Sequence, residues 1–124
     1  MSTDEEFTFQ HIQTCSLAGT PSDIGSCTWR SVQRTIERLS QELDDATVKT
    51  LALDLGKIES CNSQFLGMLV HLHVRAKKRN KVFCVYQPQP FVYNVIKTMG
   101  LNEVFTVYQT RQEAFSAWNI AFFG

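Results

Sequence analysis

The chain has 124 residues, 44% of them apolar and 19% charged, and its 12 Lys+Arg balance its 12 Asp+Glu. Such a length and composition suit one folded domain, 1–124, that buries roughly two thirds of its unfolded surface without metal or disulfide staples. The zero net charge argues against nucleic acid or an anionic membrane face as the main partner, and no apolar run approaches the roughly 18 residues of a membrane span.

The start, Met1 to Glu6, is acidic and polar. It is expected to fray, and it does not resemble a secretory signal, which points to the cytoplasm. Phe7 to Ile12 alternates apolar and polar residues, the period of a half-buried strand. Cys15 to Ala18 continues that strand or pairs with it, and Gly19 to Gly25 is dense in turn formers. Trp29, Val32, Ile36, Leu39 and Leu43 are spaced 3, 4, 3, 4 and line one face of a helix, which Asp44 and Asp45 interrupt. Val48 to Leu55 is nearly continuous in apolar character, as in a strand covered on both faces.

Gly56 to Asn62 is a polar connection, and a second helix opens at Ser63 with Leu66, Leu69, Val70, His73 and Val74 on one side. Arg75, Lys77, Lys78 and Arg79 crowd its end, where cations favour the dipole, and Asn80 suits a left-handed cap. Lys81 to Tyr86 reads as a strand. Gln87 to Pro90 breaks it, with Pro90 fit for the first turn of a helix that carries Phe91, Val92, Val95, Ile96 and Met99 and stops at Gly100. A short strand spans Val104 to Val107, and Thr110 with Glu113 forms a capping box for a last helix with Ala114, Phe115, Trp118 and Phe122 inward. Strands alternating with helices across short loops give an α/β sheet.

No phosphate loop, dinucleotide fingerprint or nucleophile elbow is present. His71 and His73 point about 200° apart on a helix and do not share a metal, and His11 stands alone in a strand. Cys15, Cys27, Cys61 and Cys84 lack metal-site spacing and read as reduced, mostly buried thiols. The basic run from Arg75 to Lys81 reads as a solvated helix end. The expectation is no catalytic residue, no metal and no cofactor. Ser63, at the start of the second helix, reads as an N-cap, and a phosphate there would meet unpaired N–H groups and the positive end of the helix dipole.

Residues Asp54-Leu-Gly-Lys-Ile58, then Asn62-Ser-Gln-Phe-Leu-Gly-Met-Leu69, resemble the D-L-S-x-V and D-S-x-G-L-G-x-L pattern of the STAS domain family. That family includes bacterial anti-sigma factor antagonists and the cytoplasmic tails of sulphate transporters. His73-x-x-Ala76, Met99 to Phe105 and Tyr108 to Ala114 continue the likeness in order, and Gly19 fits the glycine after the family's early strand. Asn62 stands where the family pattern has Asp, and Phe65 where it has Gly.

The resemblance implies a four- or five-stranded mixed sheet with about four helices packed mainly on one side, and no catalysis. In the antagonist branch a serine at the start of the second helix is phosphorylated by an anti-sigma factor that is also a serine kinase. By position Ser63 is the phosphoacceptor, with Asn62, Ser63, Gln64 and Phe65 as the partner-binding surface. The implied partner is an anti-sigma factor or serine kinase of the partner-switching type, with neither nucleic acid binding nor membrane insertion. The alternative is a constitutive scaffold subunit of a signalling or lipid-transport complex, unphosphorylated, with Phe65 as its anchor. Trp118, Phe122 and Phe123 would supply a homodimer face if exposed.

Overall fold

The computed structural model describes residues 7–21 and 28–119. In chain order these form strands β1 (Thr8–Ile12) and β2 (Cys15–Gly19), helix α1 (Trp29–Leu43), β3 (Thr50–Asp54), α2 (Ser63–Lys78), β4 (Val82–Tyr86), α3 (Pro90–Thr98), a 3-10 turn (Leu101–Glu103), β5 (Thr106–Tyr108) and α4 (Arg111–Ala117). The sheet runs β1-β2-β3-β4-β5 in space. β1 and β2 are an antiparallel hairpin, and every later pairing is parallel. This is the mixed α/β sheet that the resemblance implied, with five strands where four or five were expected.

Alternation along the strands divides the interior in two. Leu51, Leu53, Phe83 and Val85 face one side, where they meet Val32, Ile36 and Leu39 of α1, Leu66, Leu69 and Leu72 of α2, and Val92 and Ile96 of α3. Cys15, Leu17, Ala52, Cys84 and Tyr86 face the other, under Ala114 and Phe115 of α4. Three helices therefore cover one face and the short α4 covers the other. Trp118 stands edge-on to Tyr86 and Tyr108, with ring centroids 5.8 and 5.6 Å away. It belongs to the second core rather than to a free dimer face; Phe122 and Phe123 lie outside the described residues, as do Cys27, the Met1 to Glu6 segment expected to fray and most of the Gly19 to Gly25 segment expected to turn.

Trp29 is the main departure in the core. It is 64% exposed, and the inward residues of α1 are Val32, Thr35, Ile36, Leu39, Ser40 and Leu43. Cβ bonds tilt toward the helix N-terminus, so a side chain on the first residue leans past the end of the helix instead of over the sheet. Thr28 caps this helix in a box with Ser31 that the sequence reading passed over.

The basic run at the end of α2 is in part the solvated helix end expected, with Lys77 and Lys78 exposed, and in part built into the fold. Lys81 Nζ donates to the carbonyls of Leu43 and Asp45, at 2.5 and 2.7 Å, and Arg79 Nε to the Asp44 carboxylate at 2.8 Å. These cations close the C-terminus of α1, where unpaired carbonyls gather. Asn80 takes the left-handed conformation that ends α2 (φ 58°), and Gly100 (φ 75°) ends α3. In α4, Thr110 Oγ1 accepts the Glu113 N–H as expected, but the Glu113 carboxylate reaches the N–H of Gln109, one residue before the cap. Cys15 and Cys84 are buried free thiols whose burial pushes their titration up.

Candidate functional site

The C-terminal ends of the parallel strands gather the loops that precede α2, α3 and α4. β3 ends at Asp54, and its carboxylate accepts two hydrogen bonds on one oxygen: the Gly56 N–H at 2.8 Å and Gln87 Nε2 at 2.8 Å. Gln89 Nε2 then donates to the Gly56 carbonyl at 2.8 Å, and Thr20 Oγ1 to the Asp54 carbonyl at 2.7 Å. Three loop segments are stitched to one another there, those after β2, β3 and β4. A Cβ on Gly56 would come within 3.1 Å of the Asp54 carboxylate and 3.3 Å of Gln87 Nε2, so the absence of a side chain lets the turn close over that bond.

Gln87 holds its place at a backbone cost. Its φ is 46°, the left-handed region, and it precedes Pro88. Its N–H reaches the Tyr108 carbonyl at 2.9 Å while its side chain holds Asp54. Tyr86, the register partner of Asp54, has a phenol pushed up to about 12 by burial, with the Asp54 charge adding to the effect. It stays a neutral hydroxyl at any ordinary pH.

From this clamp the chain runs to α2. Leu55 and Ile58 are fully buried and pin the loop, leaving Lys57, Glu59 and Ser60 exposed between and after them. Cys61 is half-buried against the core, and burial raises its thiol, so it lacks the thiolate character of a reactive cysteine. Asn62 is extended (φ −109°, ψ 177°) and its side-chain oxygen accepts the Phe65 N–H at 2.9 Å. The N-cap is thus Asn62, one position earlier than the sequence reading had it, and Ser63 is the first helical residue. Two neighbouring cap-forming residues compete for that role, and the one with extended backbone takes it.

Ser63 and Gln64 are exposed, as is Asn62. Phe65 is not: it is fully buried and among the largest side chains of the core shared with α1 and α3. The expectation that Phe65 contributes to a partner-binding surface is corrected here. Position 65 lies on the inward stripe with Met68, Leu69, Leu72 and Ala76, and the phenyl fills volume under the helix start. Gly67, by contrast, lies on the outward side, and a Cβ added there would meet nothing within 4 Å. No acidic residue stands in the first turn of α2, so its exposed N-terminus keeps the positive end of the helix dipole uncompensated from within. The bonds of Asp54 to Gln87 and of Gln89 to Gly56 were invisible to the sequence reading, since nothing in a single chain pairs side chains 33 residues apart.

No helix among the described residues is long and apolar enough to cross a membrane, and no cluster of three metal-ligating side chains occurs among them.

Comparison with known proteins adds a family. The family described as "Mlab, STAS domain" matches residues 24–108. No curated protein matches the chain. Among solved structures, an anti-sigma-factor antagonist (STAS) domain protein from Planctomyces limnophilus is similar with a TM-score of 0.77 and 22% identity, over 91% of this chain and 97% of that one. The Bacillus anti-sigma factor antagonist SpoIIAA, in its unphosphorylated form, has a TM-score of 0.71 and 14% identity over 94% of this chain and 100% of its own. A murine solute carrier anion transporter in the inward-facing state matches over 89% of this chain but 18% of its own length, with a TM-score of 0.69 and 19% identity. At such identities these structures speak to the fold.

Proposed function

The chain belongs to the STAS domain family, and we propose that it is a non-enzymatic, cytoplasmic interaction domain of the anti-sigma factor antagonist kind, switched by phosphorylation of Ser63. Its partner in this reading is an anti-sigma factor or serine kinase of the partner-switching type. The observation that carries it is the division of labour at the start of α2. Asn62 supplies the cap, which releases the exposed Ser63 hydroxyl from any duty in forming the helix. A phosphate there gains from the helix N-terminus and meets no carboxylate in the first turn. The SpoIIAA structures, solved in phosphorylated and unphosphorylated forms, support the same reading by likeness.

The contact surface is Asn62, Ser63 and Gln64 with the exposed loop residues Lys57, Glu59 and Ser60. An interface fitted to a neutral hydroxyl accommodates a dianionic phosphate poorly, so the modified form is released. The scaffold alternative relied on Phe65 as an exposed anchor, and its burial removes that support. Incubation of the wild type and Ser63→Ala with a partner-switching kinase and ATP, read by intact mass, tests the proposal. One added phosphate on the wild type and none on Ser63→Ala is expected. An unmodified wild type beside a modified control antagonist overturns the switch.

A further inference from the structure

The two sides of α2 are unequally covered. Its α1 side is closed: Arg75 donates to Ser40 Oγ at 3.0 Å, Arg79 binds Asp44, and the two helices pack along their length. Its α3 side is not packed in that way. Phe91 and Val95 of α3 and Met99 at its C-cap are four residues apart and make one stripe. Tyr93 projects nearly opposite that stripe, its hydroxyl accepting from Gln109 Nε2 beside β5, so the stripe turns toward α2. On α2 the half-buried Val70 and His73 flank the buried stripe, and Ser63, Gly67 and Val74 run along the solvent side above them. Val70 and Val95 form the half-buried floor against the core, while Phe91 (59%), Met99 (60%) and Val74 (44%) are exposed along the rims.

We propose that this apolar seam between α2 and α3 docks an acidic amphipathic helix of a partner protein. Two features select that occupant. Neither α2 nor α3 contains an Asp or Glu, whereas Lys77 and Lys78 are exposed on α2, so a helix whose apolar stripe is flanked by carboxylates meets complementary charge. Glu59 and Glu103 stand outside the two helices. Gly67 leaves the α2 backbone open at the Ser63 end, where another backbone can approach closely. The seam is independent of whether Ser63 is modified. Only one corollary rests on the switch: a phosphate at the head of the seam repels an acidic helix seated in it.

The test is an NMR titration of the isotope-labelled full chain with three synthetic helical peptides. One carries leucines at i, i+3, i+4 and i+7 flanked by glutamates, the second has lysines in place of the glutamates, and the third scrambles the first. Saturable shifts at Val70, Val74, Phe91 and Met99 with the acidic peptide are expected, weakened about tenfold by Met99→Glu or Phe91→Ser. Both positions are solvent-facing, and circular dichroism checks that the variants fold. Absence of saturable shifts at these residues, or equal binding of the lysine or scrambled peptide, overturns the proposal. So does a concentration-dependent dimer in sedimentation that Met99→Glu abolishes, which would seat a second copy there, or flotation with anionic vesicles lost in Phe91→Ser. The intact-mass experiment on Ser63 is read separately, so either idea can fail alone.

Discussion

Asn62 and Ser63 divide two tasks that a helix start often gives to one side chain. The cap bond from Asn62 to the Phe65 N–H predicts that Asn62→Ala destabilises the fold by about 1 kcal/mol in urea unfolding, whereas Ser63→Ala stays within about 0.5 kcal/mol of wild type. The reverse order would return the cap to Ser63 and weaken the case for a hydroxyl reserved for a partner. Two residues later the chemistry inverts. Phe65→Ala empties a fully buried site and is expected to cost about 3–5 kcal/mol, a loss of fold visible in thermal melts before any binding is measured. The exposed serine was legible in the sequence because Asn62-Ser63 sits between an apolar strand and an apolar helix. Which of the two caps, and whether Phe65 points in or out, was not legible. Both depend on where the first helical turn begins, and moving that start by one residue rotates every later side chain by about 100°.

At the scale of elements, the strands and helices were readable from periodicity, and the misjudged residues sit at element ends, as Trp29 does, or on the edge of an apolar stripe, as the exposed Val74 of α2 does. Trp29 fits the apolar stripe of α1 by spacing yet projects past its first turn. The hairpin shows a second limit. Its attachment to α1 is polar: one oxygen of Glu42 accepts from the buried Ser16 hydroxyl at 2.6 Å and contacts His11 Nε2 at 2.6 Å, while Arg38 lies 3.6 Å from the other. Arg38 also covers the Phe9 ring at 4.1 Å. No short-range pattern announces such a cluster. Burial acts to raise the Glu42 carboxyl, but the bonds from Ser16 and His11 and the charge of Arg38 outweigh it and hold the group below its ordinary value. A lowered native value means that the contribution is present above the ordinary glutamate value, about 4.3, and is lost as pH falls through the native one. Glu42→Gln should therefore lower the melting temperature near neutral pH and converge on wild type as pH falls from neutral to well below the ordinary glutamate value. A gap that stays constant over that range would remove Glu42 as the group responsible.

On the scale of the whole molecule, the two ends of the parallel strands serve different ends. At their N-terminal side the cations Lys81 and Arg79 are consumed in closing α1, so these two members of the basic run are structural while Lys77 and Lys78 stay exposed. At their C-terminal side the loops carry the exposed residues of the candidate site, and the Asp54 carboxylate ties them together through Gly56 and Gln87. Leu55 and Ile58 are the buried apolar pair that pins the connection to α2 on that side. A bond to a charged acceptor is worth about 1.5–3 kcal/mol, enough to decide whether such a loop keeps one conformation. Asp54→Ala removes both bonds on that oxygen and leaves Gln87 in its left-handed backbone with no side-chain partner on β3. Hydrogen exchange should then quicken at Gly56 and through the segment to Asn62, while α4, packed on the far face of the sheet against Tyr86 and Cys84, keeps its protection. If the clamp presents Ser63, phosphate transfer to Asp54→Ala by the same kinase should slow by about tenfold or more although the serine is intact. Unchanged exchange in the loop, or undiminished phosphorylation with a loosened loop, would assign the clamp to stability alone and leave the first turn of α2 to position its own serine.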